Sequence, residues 1–122
     1  MNKFKKLVDF HFTFENLLGR TNSLFEYRVM VYIGYYESIN TPLTVKQLIL
    51  LDLGPKTSLD RVLNGLVKKG AVIKMDAPKD GRSQHLYLSD ASKQQLFEFY
   101  DYIEAIVNSS SEHPHLPPNK VV

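Results

Sequence analysis

The chain has 122 residues, with 15 Lys and Arg against 13 Asp and Glu for a net charge of +2, and it lacks cysteine and tryptophan. Its 43% apolar and 23% charged residues exclude a wholly disordered chain, and its length predicts one compact domain. Zero cysteine excludes a disulfide framework, a thiolate zinc site and a catalytic thiol, and it suits a reducing compartment.

Lys3, Lys5 and Lys6 have the charge of a signal-peptide start, but Asp9, His11 and Glu15 break any apolar stretch behind them. The longest apolar run, Val29 to Tyr36 counting Gly34, is eight residues, against the roughly 20 that span a bilayer. The expectation is a cytoplasmic protein with no membrane partner. The small net charge hides an uneven distribution. Residues 1–55 carry +1, and residues 86–122 carry −3. Residues 56–85 carry +4, from Lys56, Arg61, Lys68, Lys69, Lys74, Lys79 and Arg82 against three acidic side chains. A basic middle beside an acidic end suits a polyanion-facing surface, or else a solvated face of uneven charge.

In chain order, residues 4–18 predict an N-terminal helix with Phe4, Leu7, Val8, Phe12 and Leu17 as its apolar set. Ser23-Leu24-Phe25-Glu26 is a capping box, in which the Ser hydroxyl accepts one first-turn amide and Glu26 reaches back to the cap amide. It opens a helix over 23–38, where Phe25, Val29, Tyr32, Ile33 and Tyr36 line one apolar face. Residues 41–43 leave room for only a scrap of extended chain. Thr44-Val45-Lys46-Gln47 is a second capping box and opens a short helix over 44–51. Asp52-Leu53-Gly54-Pro55 is a turn, with Gly54 expected to supply permissive backbone angles. A helix over 56–69 follows, capped by Thr57 or by a residue just before it. Its stripe is Leu59, Val62, Leu63, Leu66 and Val67, and Gly70 ends it.

Residues 71–88 predict a hairpin, with β-prone stretches at 71–75 and 84–88 flanking a turn-rich segment that holds Pro78 and Gly81. Ser89 or Asp90 caps a last helix over 90–107, with Leu96, Phe99, Tyr100, Ile103, Ile106 and Val107 at heptad-like spacing. Beyond it, residues 108–122 hold three prolines and little to bury, and are expected to lack regular structure. His113 and His115 form an H-x-H pair without a third ligand nearby, so no metal is expected.

A helix, a short helix, a tight turn, a helix and a basic hairpin make a mainly α fold, a winged helix-turn-helix over residues 1–107. With the apolar stripe centred on Leu63 and Leu66, the opposite face of the third of these helices presents Thr57, Arg61, Asn64, Gly65 and Lys68. Arg pairs bidentately with guanine, Asn with adenine, and Thr contacts base or phosphate. Gly65 costs about 1 kcal/mol of helix propensity relative to Ala, a loss that suits close approach by DNA or another element. An ordinary solvated helix face is the other reading.

Residues 53–70, Leu53-Gly54-Pro55-Lys56-Thr57-Ser58 through Asn64-Gly65-Leu66-Val67-Lys68-Lys69-Gly70, resemble the recognition helix of the multiple antibiotic resistance regulator (MarR) family. Asp80-Gly81-Arg82-Ser83, followed by His85-Leu86-Tyr87-Leu88-Ser89-Asp90, resembles that family's wing. The match covers residues 24–107. It implies a bacterial, sequence-specific double-stranded DNA-binding transcriptional regulator, a repressor acting as a homodimer on a pseudo-palindromic site. Lys56, Thr57, Ser58, Arg61, Asn64 and Lys68 would then face the major groove or its phosphates. Lys79 and Arg82 would serve the wing, with Arg82 in the minor groove, while Asp80 and Gly81 shape its tip.

The same resemblance implies that the N- and C-terminal helices pair between subunits, here through Phe4, Leu7, Leu96, Phe99, Tyr100, Ile103 and Val107. The family has a further helix where this chain runs into its Pro/Ser tail, which implies a smaller or rearranged interface. Family members respond to small phenolic or oxidant ligands. The absence of cysteine excludes a thiol switch and leaves a small aromatic effector as the partner to consider. Tyr27, Tyr32, Tyr35, Tyr36, Tyr100 and Tyr102 are its candidate lining, or else core and interface residues. No phosphate-binding glycine loop, metal signature or distinctive carboxylate pair indicates an enzyme or a cofactor. The competing reading is a winged helix used for protein interaction in a replication or phage- or plasmid-encoded control complex.

Overall fold

The computed structural model describes residues 2–19, 22–77 and 80–108, with the side chains of residues 80–82 excepted. Pro78, Lys79 and the tail beyond Asn108, with His113 and His115, lie outside the described residues. The order is α1 (Lys3–Leu17), α2 (Leu24–Ser38), α3 (Val45–Leu50), α4 (Lys56–Lys68), β1 (Val72–Ala77), β2 (Asp80–Leu88) and α5 (Asp90–Asn108). The chain divides into two compact units, Leu24–Gln94 and Met1–Ser23 with Gln95–Val122. Among the described residues no helix is long and apolar enough to cross a membrane.

The unit Leu24–Gln94 is a helix-turn-helix followed by an antiparallel hairpin. Helix α2 buries Val29, Met30 and Ile33, and it stops at Asn40, which takes a left-handed φ of 62°. The amide of Thr41 then reaches back to the carbonyl of Tyr36 at 2.9 Å. Helix α3 starts with its box closed in both directions. The Gln47 amide donates to Thr44 Oγ1 at 3.2 Å, and the Thr44 amide donates to Gln47 Oε1 at 2.9 Å.

The turn into α4 works differently from the sequence expectation. Asp52, not Gly54, takes the left-handed conformation, with φ 57°. Asp tolerates that region because its short polar side chain bonds locally. Gly54 is required by space, since a Cβ there would sit 2.7 Å from the Phe25 ring. Pro55 occupies the N-cap position of α4 and offers no side-chain hydrogen bond, so Thr57 does not cap the helix. At the other end Gly70 (φ 78°) closes the helix as expected. Its amide bonds the Val67 carbonyl at 3.1 Å, and that of Ala71 bonds the Leu66 carbonyl at 2.9 Å. This is the doubled C-terminal closure that favours glycine.

In the hairpin, Val72 pairs with Leu88 and the register runs regularly to Asp76 opposite Gln84. It then shifts so that Ala77 faces Asp80. Strand β2 therefore begins at Asp80, four residues before the β-prone stretch. Backbone pairing continues through a polar segment that side-chain patterning reads as turn. On the other edge of β2, Leu86 N–H donates to Leu43 O at 2.8 Å and Thr44 bridges His85, so the extended scrap at 41–43 is part of the wing's base. Glu37 pins that base, since Oε1 accepts the Leu88 amide at 2.9 Å and Oε2 pairs with Lys93. The hydrogen bond to Glu37 raises the Lys93 pKa above its ordinary value.

In the unit Met1–Ser23 with Gln95–Val122, Asn2 Oδ1 caps α1 by accepting from Phe4 N at 2.9 Å and Lys5 N at 3.3 Å. The Phe99 ring packs against Phe10 and Phe14, with centroids 5.6 and 6.0 Å away. Gln95 donates to Leu17 O at 2.7 Å, and Lys6 Nζ donates to Val107 O at 2.6 Å. The buried Asp9 carboxylate is answered by Lys5 at 2.7 Å. A cation paired to it is what a carboxylate in that position requires.

Candidate nucleic-acid interface

Helix α4 is oriented by Leu59, Leu63 and Leu66, which are 2, 3 and 0% exposed. Burial of each contributes roughly 1.5–3 kcal/mol. Turning the helix to hide its polar side would forfeit all three, which is comparable to the whole stability of a small domain, about 5–15 kcal/mol. The polar face is therefore held outward. Lys56, Thr57, Arg61, Asn64, Gly65 and Lys68 are all exposed, and Ser58 is half-buried.

The charges on this face are not equivalent. Lys56 Nζ lies 3.1 Å from Asp60 Oδ2, one helical turn on. Such an exposed pair is worth about 0–1 kcal/mol, so it yields easily to a phosphate. Lys69 is engaged with Glu26 of α2 at 2.8 Å and ties the end of α4 to the helix behind it. Arg61 and Lys68 have no hydrogen-bond or ion-pair partner among the described residues. Between them on the same face, Gly65 has open space where a Cβ would stand.

Two residues that position this face carry no sequence motif. Arg28 of α2 donates to Leu53 O at 3.0 Å, and its guanidinium lies 6.0 Å from the centre of the Phe25 ring. Together with the contact of Phe25 on Gly54, this holds the turn that aims α4. Glu37 holds the wing's base as described above. Their hydrogen-bond partners, the Leu53 carbonyl and the Leu88 amide, are 25 and 51 residues away, so local pattern gives no sign of either.

The remaining candidates are scattered. Asp80, Gly81 and Arg82 lie at the start of β2, and their side chains, like all of Lys79, lie outside the described residues. Of the proposed dimer residues, Phe4, Leu7, Tyr100 and Val107 are 59–77% exposed, and Leu96 and Ile103 are half-buried. Phe99 is enclosed within its own chain. Tyr36 lines an open, mainly apolar hollow of about 300 Å³ with Thr41, Leu43, Gln47, Leu50 and Leu51. Tyr27 is half-buried, and burial raises its pKa. Tyr32, Tyr35, Tyr100 and Tyr102 are exposed.

No family model matches the sequence, and no curated protein matches it. Solved structures do. A transcriptional regulator, PA4135, superposes with a TM-score of 0.62 at 19% identity, over 84% of this chain and 70% of its own. A mutant MarR from Escherichia coli complexed with operator DNA gives 0.60 at 18% identity, over 84% and 70%. A probable transcriptional regulator from Pseudomonas aeruginosa gives 0.58 at 21% identity, over 84% and 74%. The chain has the MarR-like winged-helix fold that these structures share.

Proposed function

With that fold as premise, we propose that this protein is a sequence-specific, double-stranded DNA-binding transcriptional regulator, a repressor that acts as a homodimer. The observation that carries the reading is the outward face of α4, where Arg61 and Lys68 stand exposed and without a partner among the described residues, on either side of Asn64 and Gly65. The helix enters the major groove. Arg61 and Asn64 read base edges, and Thr57, Ser58, Lys56 and Lys68 engage bases or phosphates. The wing lies over the adjacent minor groove, where Arg82 and Lys79 meet its negative potential and Asp80 and Gly81 shape the tip.

Two subunits paired through Phe4, Leu7, Tyr100 and Val107, with Leu96 and Ile103 beneath, present two such helices to a pseudo-palindromic site. Half-sites about 34–36 Å apart suit such a dimer. Its place of action is the bacterial cytoplasm. A small aromatic effector is the further partner that the resemblance implies, and the hollow beside Tyr36 is a place to receive it.

The test is selection of bound sequences from random duplex DNA, followed by a salt titration on the winner. The expected result is an enriched two-fold symmetric site with affinity falling steeply as salt rises. Recovery of no enriched site would overturn the reading in favour of a protein-interaction module.

A further inference from the structure

Gly65 is a misfit by every rule internal to the chain. It sits in the last turn of α4, three residues before the helix ends at Lys68, at a helical position where glycine is less favoured than any residue but proline. Its φ is not in the left-handed region, which among the described glycines only Gly70 adopts, so its backbone needs no glycine. A Cβ at this position would meet nothing within 4 Å, so no neighbour among the described residues needs it absent. The contrast is Gly34 and Gly54, where a Cβ would fall 2.8 Å from Leu88 and 2.7 Å from Phe25. What Gly65 does have is a position. Arg61, Asn64 and Lys68 surround it at i−4, i−1 and i+3 on the exposed face.

We infer that Gly65 is the point of closest approach between α4 and a base-pair edge in the major groove, a specificity-determining gap rather than a contact. The inference rests on the DNA-binding reading above. An α-helix with its side chains is about 10–12 Å across and the major groove about 12 Å wide. A helix therefore fits with little clearance, and the missing side chain at Gly65 lets its backbone come closer to the base edges beside Arg61 and Asn64. Any side chain at 65 props the helix outward and lengthens the hydrogen bonds of its neighbours. Attraction to phosphates, which acts over a longer range, is affected little.

The experiment compares Gly65→Ala and Gly65→Gln with the wild type. Affinity is measured for the selected duplex and for a scrambled duplex of equal length, alongside thermal unfolding. Both substitutions improve helix propensity, so the variants fold at least as well as the parent, with an expected rise of about 3–6 °C in the midpoint for Ala. Affinity for the selected duplex is expected to fall about fivefold for Ala and more than about twentyfold for Gln, while affinity for the scrambled duplex stays unchanged. If wild-type selectivity is present and both variants keep it, the gap at Gly65 is refuted and the DNA reading stands. If both variants unfold at lower temperature than the parent, the glycine serves the fold and the inference is likewise refuted. If the wild type binds no duplex in preference to its scrambled control, the DNA reading itself falls, and the inference with it.

Discussion

Arg61 and Lys68 are available because neighbouring charges are occupied. Asp60 turns toward Lys56, and Glu26 holds Lys69, so neither carboxylate is directed at Arg61 or Lys68. Arg61→Ala should cost about 1–3 kcal/mol of affinity for the selected duplex and relax preference at one base position. Arg82→Ala should weaken binding to all duplexes and reduce the salt slope by about 1. Repeating the selection with the first variant and the salt titration with the second checks both. If neither changes binding, the contact assignment is wrong. Gly54 makes a separate case. The Phe25 ring stands where its Cβ would go, so Gly54→Ala should lower stability by about 1–3 kcal/mol in denaturant unfolding. Adding Phe25→Leu should recover part of that loss. A fully additive pair would show that the ring is not the obstacle.

At the level of elements, local sequence accounts for most of the boundaries and little of the aim. The Thr44–Gln47 box, the Gly70 stop and the apolar stripe of α4 are each written within a few residues, because capping and helical periodicity act over one or two turns. Thr44→Ala should remove one cap acceptor and cost about 0.5–2 kcal/mol, readable as a lower denaturation midpoint with unchanged slope. An unchanged midpoint would show that the bridge to His85 alone holds α3 in place. The reach of β2 back to Asp80 was not legible. Its first residues are polar, and their pairing with β1 satisfies backbone groups irrespective of side-chain type. The start of α4 at Lys56 agrees with the expected bounds, and of the two cap positions left open it is a residue before Thr57, Pro55, that stands at the N-cap.

For the whole molecule, the question is what the exposed apolar residues of α1 and α5 meet. Phe4 and Leu7 are 77 and 61% exposed, one turn apart on α1, and Tyr100 and Val107 are 59 and 61% exposed, two turns apart on α5. Clusters of this kind mark interaction surfaces. The proposed occupant is a second copy of the chain. The wild type is expected to sediment at twice its 14.0 kDa mass. Leu7→Asp together with Val107→Asp should give a monomer with unchanged helix content and lost affinity for the symmetric site. A wild type that sediments as a monomer at micromolar concentration would reject the homodimer. Phe99 belongs to a different category from these residues. Its spacing on α5 matches theirs, but Phe10 and Phe14 of its own chain already cover it.

The sequence by itself determined the element order, the capping of α3, the end of α4, and which side chains of α4 face away from the leucines. All of these follow from hydrogen bonding and amphipathic burial over a few residues. Only the tertiary structure decided how that face is held. Arg28 reaches the turn at Leu53, Phe25 closes on Gly54, and Glu37 seizes both the base of the wing and Lys93. Each joins residues tens of positions apart, and no local pattern encodes a distance that exists only once the chain has folded. The +4 segment was visible from composition. Of its ion pairs, Lys56 with Asp60 spans one helical turn, whereas Lys69 meets Glu26 only because the fold brings α2 against the end of α4.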